Sequence, residues 1–297
     1  MTTHFEVTTA LPDNFQSEYF LAFHRRDKCA IAELVEGNTI KKGLVISALP
    51  CLLTITLEQK KAIASLHADG HLSGFDNNAL LLLLNNMLGL LQPTAQFELA
   101  YQSHPDIAKL LRHSSGLRIP QTATPFEAIV WAITGQLISV EAAVSIRRRL
   151  IETSEIKHSS GLWCQPSPHH LAKLPISEYR KCGYSNAKAQ TIQLVAQRVI
   201  NGQLNLSPDV SPIDIDKALL AIKGVGPWTV SYTLLRGFGW LDGSLHGDVA
   251  VRKSLQRLLG SDEPLSQKQT QQWLSQFSPW KALVAAHLWA MESDKAY

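Results

Sequence analysis

The hydrophobic pattern of the first hundred residues is strand-like. Phe5-Glu-Val-Thr-Thr9 reads as a short strand. Ile31–Val35 and Ile40–Ile46 flank Gly37-Asn38, a turn pair that suits a hairpin. Leu52–Leu57 is a further β-branched run, whereas 58–67 fits a helix or a strand equally well. The most apolar run, Ala79 to Leu91, is interrupted by Asn85, Asn86 and Gly89. It predicts a buried helix over 78–90 and is too short to span a bilayer. Strands with one or two helices make a β-rich α+β domain, placed at 1–104.

From about residue 105 the pattern turns helical. Thr124-Pro125-Phe126-Glu127 has the form of a capping box with proline at the first helical position. That helix runs to about Thr134 and is broken by Gly135-Gln136-Leu137-Ile138. Ser139 caps the next, through Ile151, and a third covers 187–200, stopped by Asn201-Gly202. Ser211-Pro212-Ile213-Asp214 opens a helix to about Ile222, and Pro227 opens another. Asp248 starts one that Gly260 closes, and 267–277 and 280–291 complete the set. The predicted class is therefore mixed: an α+β domain over 1–104, then an all-helical domain over 105–297.

Composition adds boundaries rather than an answer. The apolar fraction of 45% over 297 residues supplies a core and argues against disorder. Net charge is only +3, but residues 118–297 carry 19 basic against 14 acidic side chains. That mild excess fits a polyanionic partner for the helical part. Cys29, Cys51, Cys164 and Cys182 are scattered, which excludes a zinc ribbon or a four-cysteine iron–sulfur loop. Reduced thiols in the cytoplasm are expected, and no basic-then-apolar leader is visible at the N-terminus. His169-His170, with no further ligand close in sequence, reads as a surface loop. No metal site is expected from the side chains.

The informative segment is Lys223-Gly224-Val225-Gly226-Pro227-Trp228-Thr229, between two helices. The glycines allow positive φ and close backbone approach, and Val225 can plug the space between the helices. Such a turn gathers backbone N–H groups and a helix N-terminus at one spot, which is an anion site. A nucleic-acid phosphate is a natural occupant, bound without sequence readout. Asp248 lies 22 residues beyond Gly226 and, taken alone, is an ordinary helix cap. Trp228 and Tyr232 share a helix face, and aromatics at that spacing are commonly core residues.

Together these segments resemble the helix-hairpin-helix DNA glycosylases, with the hairpin at about 212–236. His246-Gly247-Asp248-Val249-Ala250-Val251 is similar to their Gly-Asp segment, and 125–140 to the helix pair of the DNA-3-methyladenine glycosylase II family. The resemblance covers about residues 105–292. It implies Asp248 as the catalytic carboxylate and Trp228, Tyr232 and Trp280 as the walls of a base pocket. It also implies Leu137 as an apolar wedge beside Gln136, and Lys223, Gly224, Val225, Gly226 and Thr229 as the DNA-binding hairpin. A Na⁺ or K⁺ at the carbonyls of Leu220, Ile222 and Val225 is implied, with no other cofactor. The strand-cutting members have a lysine where this chain has Trp228, so the resemblance implies base removal alone. The expected partner is duplex DNA carrying alkylated bases, met by a monomer away from membranes. A non-catalytic DNA-binding protein, or a glycosylase for mismatched or oxidised bases, remains the alternative.

Overall fold

The computed structural model describes residues 3–291; the outer ends of the two expected domains, 1–2 and 292–297, lie outside the described residues. The chain begins β1 (Thr3–Ala10), α1 (Ser17–His24), β2 (Glu33–Glu36), β3 (Thr39–Ile46), β4 (Leu49–Leu57), β5 (Lys61–Ala68) and α2 (Asn77–Met87). The five strands form one antiparallel sheet in the order β1-β5-β4-β3-β2. Alternate residues Cys51, Leu53, Ile55 and Leu57 of β4 are buried, as are Ala62, Ala64, Leu66 and Ala68 of β5. Helix α2 closes this face with Leu80, Leu84 and Met87.

The segment that left helix and strand open is β5. Its alanines favour a helix locally, but β1 on one side and β4 on the other satisfy its backbone as a strand.

Twelve helices follow: α3 (Thr94–Tyr101), α4 (Ile107–Ser114), α5 (Pro125–Gly135), α6 (Val140–Thr153), α7 (Pro168–Lys173), α8 (Ile176–Cys182), α9 (Asn186–Ile200), α10 (Pro212–Leu220), α11 (Pro227–Phe238), α12 (Val249–Leu259), α13 (Gln267–Ser275) and α14 (Lys281–Ala290). His169 and His170 are not in a loop: Pro168 starts α7 and both lie in its first turn. The helical region has two apolar cores. Trp131 and Ala132 of α5 and Tyr232 and Leu235 of α11 face one, shared with α4, α12 and α14. Ile129 and Ile133 of α5 and Val230 and Leu234 of α11 face the other, shared with α9 and α10. Helices α5 and α11 are thus the common wall, which is why both are buried almost all round. Among the described residues no helix is long and apolar enough to cross a membrane.

Sheet and helices are joined by buried charge. Lys42 of β3 is 1% exposed; its ammonium donates to Glu33 of β2 and, at 2.7 Å, to Glu127 of α5. Arg147 of α6 donates to the same two carboxylates at 3.0 and 2.9 Å. His24, whose pKa burial lowers, places Nδ1 3.1 Å from the Glu33 carboxylate. Burial opposes the Glu33 charge, but Lys42 and Arg147 outweigh it and hold that carboxyl well below the usual carboxylate range. Glu127 was expected to close a capping box. Thr124 does accept the Glu127 N–H at 3.1 Å, but the Glu127 carboxylate turns to this cluster and to the Ala123 N–H.

Removing one partner strands buried charge, so Lys42→Met is expected to lower unfolding free energy by about 3–5 kcal/mol. Urea denaturation of the variant measures this; a loss under about 1 kcal/mol, the scale of a surface pair, would show that the cluster does not join the two parts.

Candidate functional site

The turn between α10 and α11 is built around Gly224, at φ +91°. A Cβ there would lie 2.3 Å from the Thr191 hydroxyl oxygen. That hydroxyl, on α9, donates to the Lys223 carbonyl at 3.1 Å, so the turn is seated on a third helix. Val225 is buried between the helices, as its position suggested, and Lys223 is exposed. Gly226 caps α11 with extended backbone, and a Cβ on it would meet nothing within 4 Å. Its glycine character therefore serves approach from outside. Among the described residues the N–H groups of Gly226, Trp228 and Thr229 meet no protein acceptor, so the α11 N-terminus offers donors outward.

The loop after α5 docks on this turn. The Gln136 amide donates to the Gly224 carbonyl at 3.0 Å and to the Thr229 hydroxyl at 2.9 Å. Thr229, expected to touch phosphate, is 2% exposed, so its side chain instead positions Gln136. From the other side Lys188 of α9 donates to the carbonyls of Thr134 and Gln136 at 2.9 and 2.7 Å. Between these anchors Leu137 adopts φ +58° and is 103% exposed. A leucine held in left-handed backbone with its whole side chain in water opposes both local strain and hydrophobicity, at a cost of roughly 1–3 kcal/mol for the backbone alone. Lys188 was not expected from the sequence. The available signal was a lysine in the first turn of a helix, where the dipole disfavours it.

Asp248 joins three helices. One carboxylate oxygen, Oδ1, caps α12 by accepting the N–H groups of Ala250 and Val251 at 2.9 and 3.1 Å. The same oxygen accepts the Trp289 indole N–H of α14 at 3.3 Å, and Oδ2 accepts that of Trp228 at 2.9 Å. Oδ2 has one partner among the described residues and retains acceptor capacity. The carboxylate is half-buried, and Gly247 beside it leaves open space. Trp228 and Tyr232 rings lie 5.4 Å apart at 31°, and Tyr232 lies 6.4 Å from Trp289.

The structure brings Trp228, Tyr232 and Asp248 together, and Trp280 packs against the same apolar core as those two rings. Trp280 precedes α14 and its ring lies 5.9 Å from that of Phe97. Trp289, nine residues on, was not expected, yet its indole N–H reaches Asp248. Nothing in its apolar surroundings distinguishes it in the sequence; only the packing of α14 on α12 carries it to Asp248.

Residues 130–279 match the HhH-GPD superfamily of base excision DNA repair proteins. The chain belongs to this superfamily. The matched span runs from α5 through the hairpin and Asp248 to the start of α14. A DNA-3-methyladenine glycosylase of Bacillus subtilis is 21% identical over 290 residues, 95% of this chain and 96% of that protein. DNA-3-methyladenine glycosylase 2 of Escherichia coli is 28% identical over 182 residues, 60% of this chain and 61% of its own. The fold of a 3-methyladenine DNA glycosylase from Archaeoglobus fulgidus superposes with a TM-score of 0.82 at 18% identity, covering 97% of this chain and 98% of that one. The sheet as well as the helical part of this HhH-GPD protein is thus shared with a known fold.

The two hairpin glycines should separate in a melting experiment. Gly224→Ala combines positive φ with a clash and is expected to cost at least about 1–3 kcal/mol. Gly226→Ala should melt with the wild type. Equal destabilisation by both would mean that Gly226 is a folding residue.

Proposed function

We propose that this protein is a monofunctional DNA glycosylase. It hydrolyses the N-glycosidic bond of alkylated purines, of the 3-methyladenine and 7-methylguanine type, in duplex DNA and so initiates base excision repair. The observation that carries the reading is the Asp248 carboxylate, fixed by two indoles and a helix N-terminus beside stacked aromatic rings. Departure of the base builds positive charge on the sugar, and a fixed carboxylate stabilises that cation or orients a water. An alkylated purine is already cationic and leaves without a general acid, so one carboxylate suffices. Trp228, Tyr232 and Trp280, together with Trp289, offer electron-rich faces to such a base once it is flipped from the helix.

The remaining residues hold the duplex. The outward N–H groups at Gly226 and the α11 N-terminus take a backbone phosphate, with Lys223 adding charge. Leu137 enters the stack in the place of the extruded nucleotide, and Gln136 holds it at the hairpin. The carbonyls of Leu220 and Val225 accept no protein hydrogen bond among the described residues, and that of Ile222 accepts one from Val225. These three oxygens suit a monovalent cation with no catalytic part. No other cofactor enters the reading, which takes the protein as a cytoplasmic monomer divided at about residue 104 into a sheet domain and a catalytic domain. Where a strand-cutting relative would have its amine, Trp228 is already committed to Asp248. No Schiff base with the sugar is expected there.

Single-turnover assays on duplexes carrying 3-methyladenine, 7-methylguanine, hypoxanthine or 8-oxoguanine test this. Release of the methylated bases is expected, in EDTA, with an intact abasic strand and no adduct trapped by borohydride. A trapped adduct, or preference for 8-oxoguanine, would overturn the assignment. On an abasic-site duplex, Leu137→Ala should weaken binding by about 1–3 kcal/mol, the scale of one stacked contact; unchanged affinity would remove the wedge. Gly226→Ala should weaken damaged and undamaged duplex alike, whereas a loss confined to damaged DNA would place Gly226 in the pocket.

A further inference from the structure

Three side chains far from Asp248 in the chain converge on one point. His67 lies near the end of β5, Asp69 just beyond it, and His158 in the segment between α6 and α7. One ligand atom from each lies within 4.8 Å of the others. His67 Nδ1 is 3.0 Å from His158 Nε2, and Asp69 Oδ1 is 3.3 Å from that same nitrogen. His158 is 4% exposed, whereas His67 and Asp69 are half-buried, so the point is reachable from solvent on one side.

The hydrogen bonds say what occupies that point. The Ser160 N–H donates to His158 Nδ1 at 3.1 Å, so the neutral ring has its proton on Nε2. That one proton is shared between the lone pairs of His67 Nδ1 and Asp69 Oδ1. Three donor atoms therefore face a single hydrogen, in the arrangement that a small cation would take.

We propose that His67, Asp69 and His158 form a structural site for a divalent transition metal of the zinc class, with solvent as fourth ligand. The edge of a tetrahedron with metal–ligand bonds of about 2.0 Å is about 3.3 Å, and His158 Nε2 lies 3.0 Å from His67 Nδ1 and 3.3 Å from Asp69 Oδ1. Outer contacts support the ligands. Asp69 Oδ2 accepts the Ser159 N–H at 2.7 Å, and the Ser160 hydroxyl lies 2.9 Å from His158 Nδ1. Coordination at Nε2 requires the other tautomer of His158: the proton passes to Nδ1, the Ser160 hydroxyl accepts it, and the Ser160 N–H gives up its bond to that nitrogen. The segment holding His158 already pairs with the sheet: Trp163 N–H donates to Ile31 and Gln165 N–H to Gly43, both at 3.0 Å. An ion at the triad would fasten the helical part to β5 at a second place, apart from the Lys42 cluster. The ligands are spread over 92 residues, so no sequence spacing betrays them.

The test uses the full chain, stripped with EDTA and titrated with Zn²⁺. One ion per chain and a rise of several degrees in Tm are expected, and Co²⁺ should give the visible bands of a tetrahedral site. His67→Gln and Asp69→Asn should fold, as judged by circular dichroism, and lose both saturable binding and the shift. No stoichiometric uptake by the wild type at micromolar Zn²⁺ overturns the proposal. So does binding that persists unchanged in both variants.

Discussion

Four N–H groups meet on the Asp248 carboxylate, two from the backbone of α12 and two from indoles on α11 and α14. This is the constraint on which the rest of the site depends. A capping aspartate alone contributes about 1 kcal/mol to a helix. Here the same group also fixes the indoles of Trp228 and Trp289, so these rings and the negative charge cannot move independently. The ordinary reading of Asp248 as a helix cap and the catalytic reading describe one geometry. Capping holds Oδ1, and the more open Oδ2 is the oxygen that the proposed chemistry uses.

The other parts are arranged around α5 and α11. Because these two helices form the wall between both helical cores, the loop leaving α5 and the turn entering α11 emerge side by side. Gln136 spans that gap, and Lys188 closes the loop from the opposite side. The strained, exposed Leu137 persists because its neighbours are held on both flanks. At its other end α5 is fixed by Glu127, whose carboxylate reaches Lys42 in the sheet and Arg147 in α6. The sheet is thereby tied to both α5 and α6, through Glu127 and Arg147.

Helix starts were legible in the sequence because they are local. Thr124, Ser139, Pro227 and Asp248 each mark a helix start from side-chain or backbone chemistry that needs no tertiary partner. The hairpin was legible for the same reason, and its resemblance to known glycosylases pointed to Asp248, Trp228 and Tyr232. What depended on packing was not. The segment of β5 fits a helix and a strand equally well until its neighbours are present. Trp289 has no local signal, and only the placement of α14 brings its indole to Asp248. The Thr229 hydroxyl looked exposed until Gln136 was found against it, and the short helices α3, α7 and α8 bear no strong periodicity. The buried cluster of Glu33, Lys42, Glu127 and Arg147 joins residues up to 114 apart, beyond any local pattern.

The most direct test of the central claim is the single-turnover rate of 3-methyladenine release by Asp248→Asn, measured beside its affinity for undamaged duplex. Asparagine keeps an oxygen for the α12 cap but has no negative charge. The account predicts a rate at least about a hundred-fold lower, the usual scale for loss of one electrostatic stabiliser, with duplex affinity retained. An unchanged rate, or a loss of rate only in proportion to lost DNA binding, would contradict it.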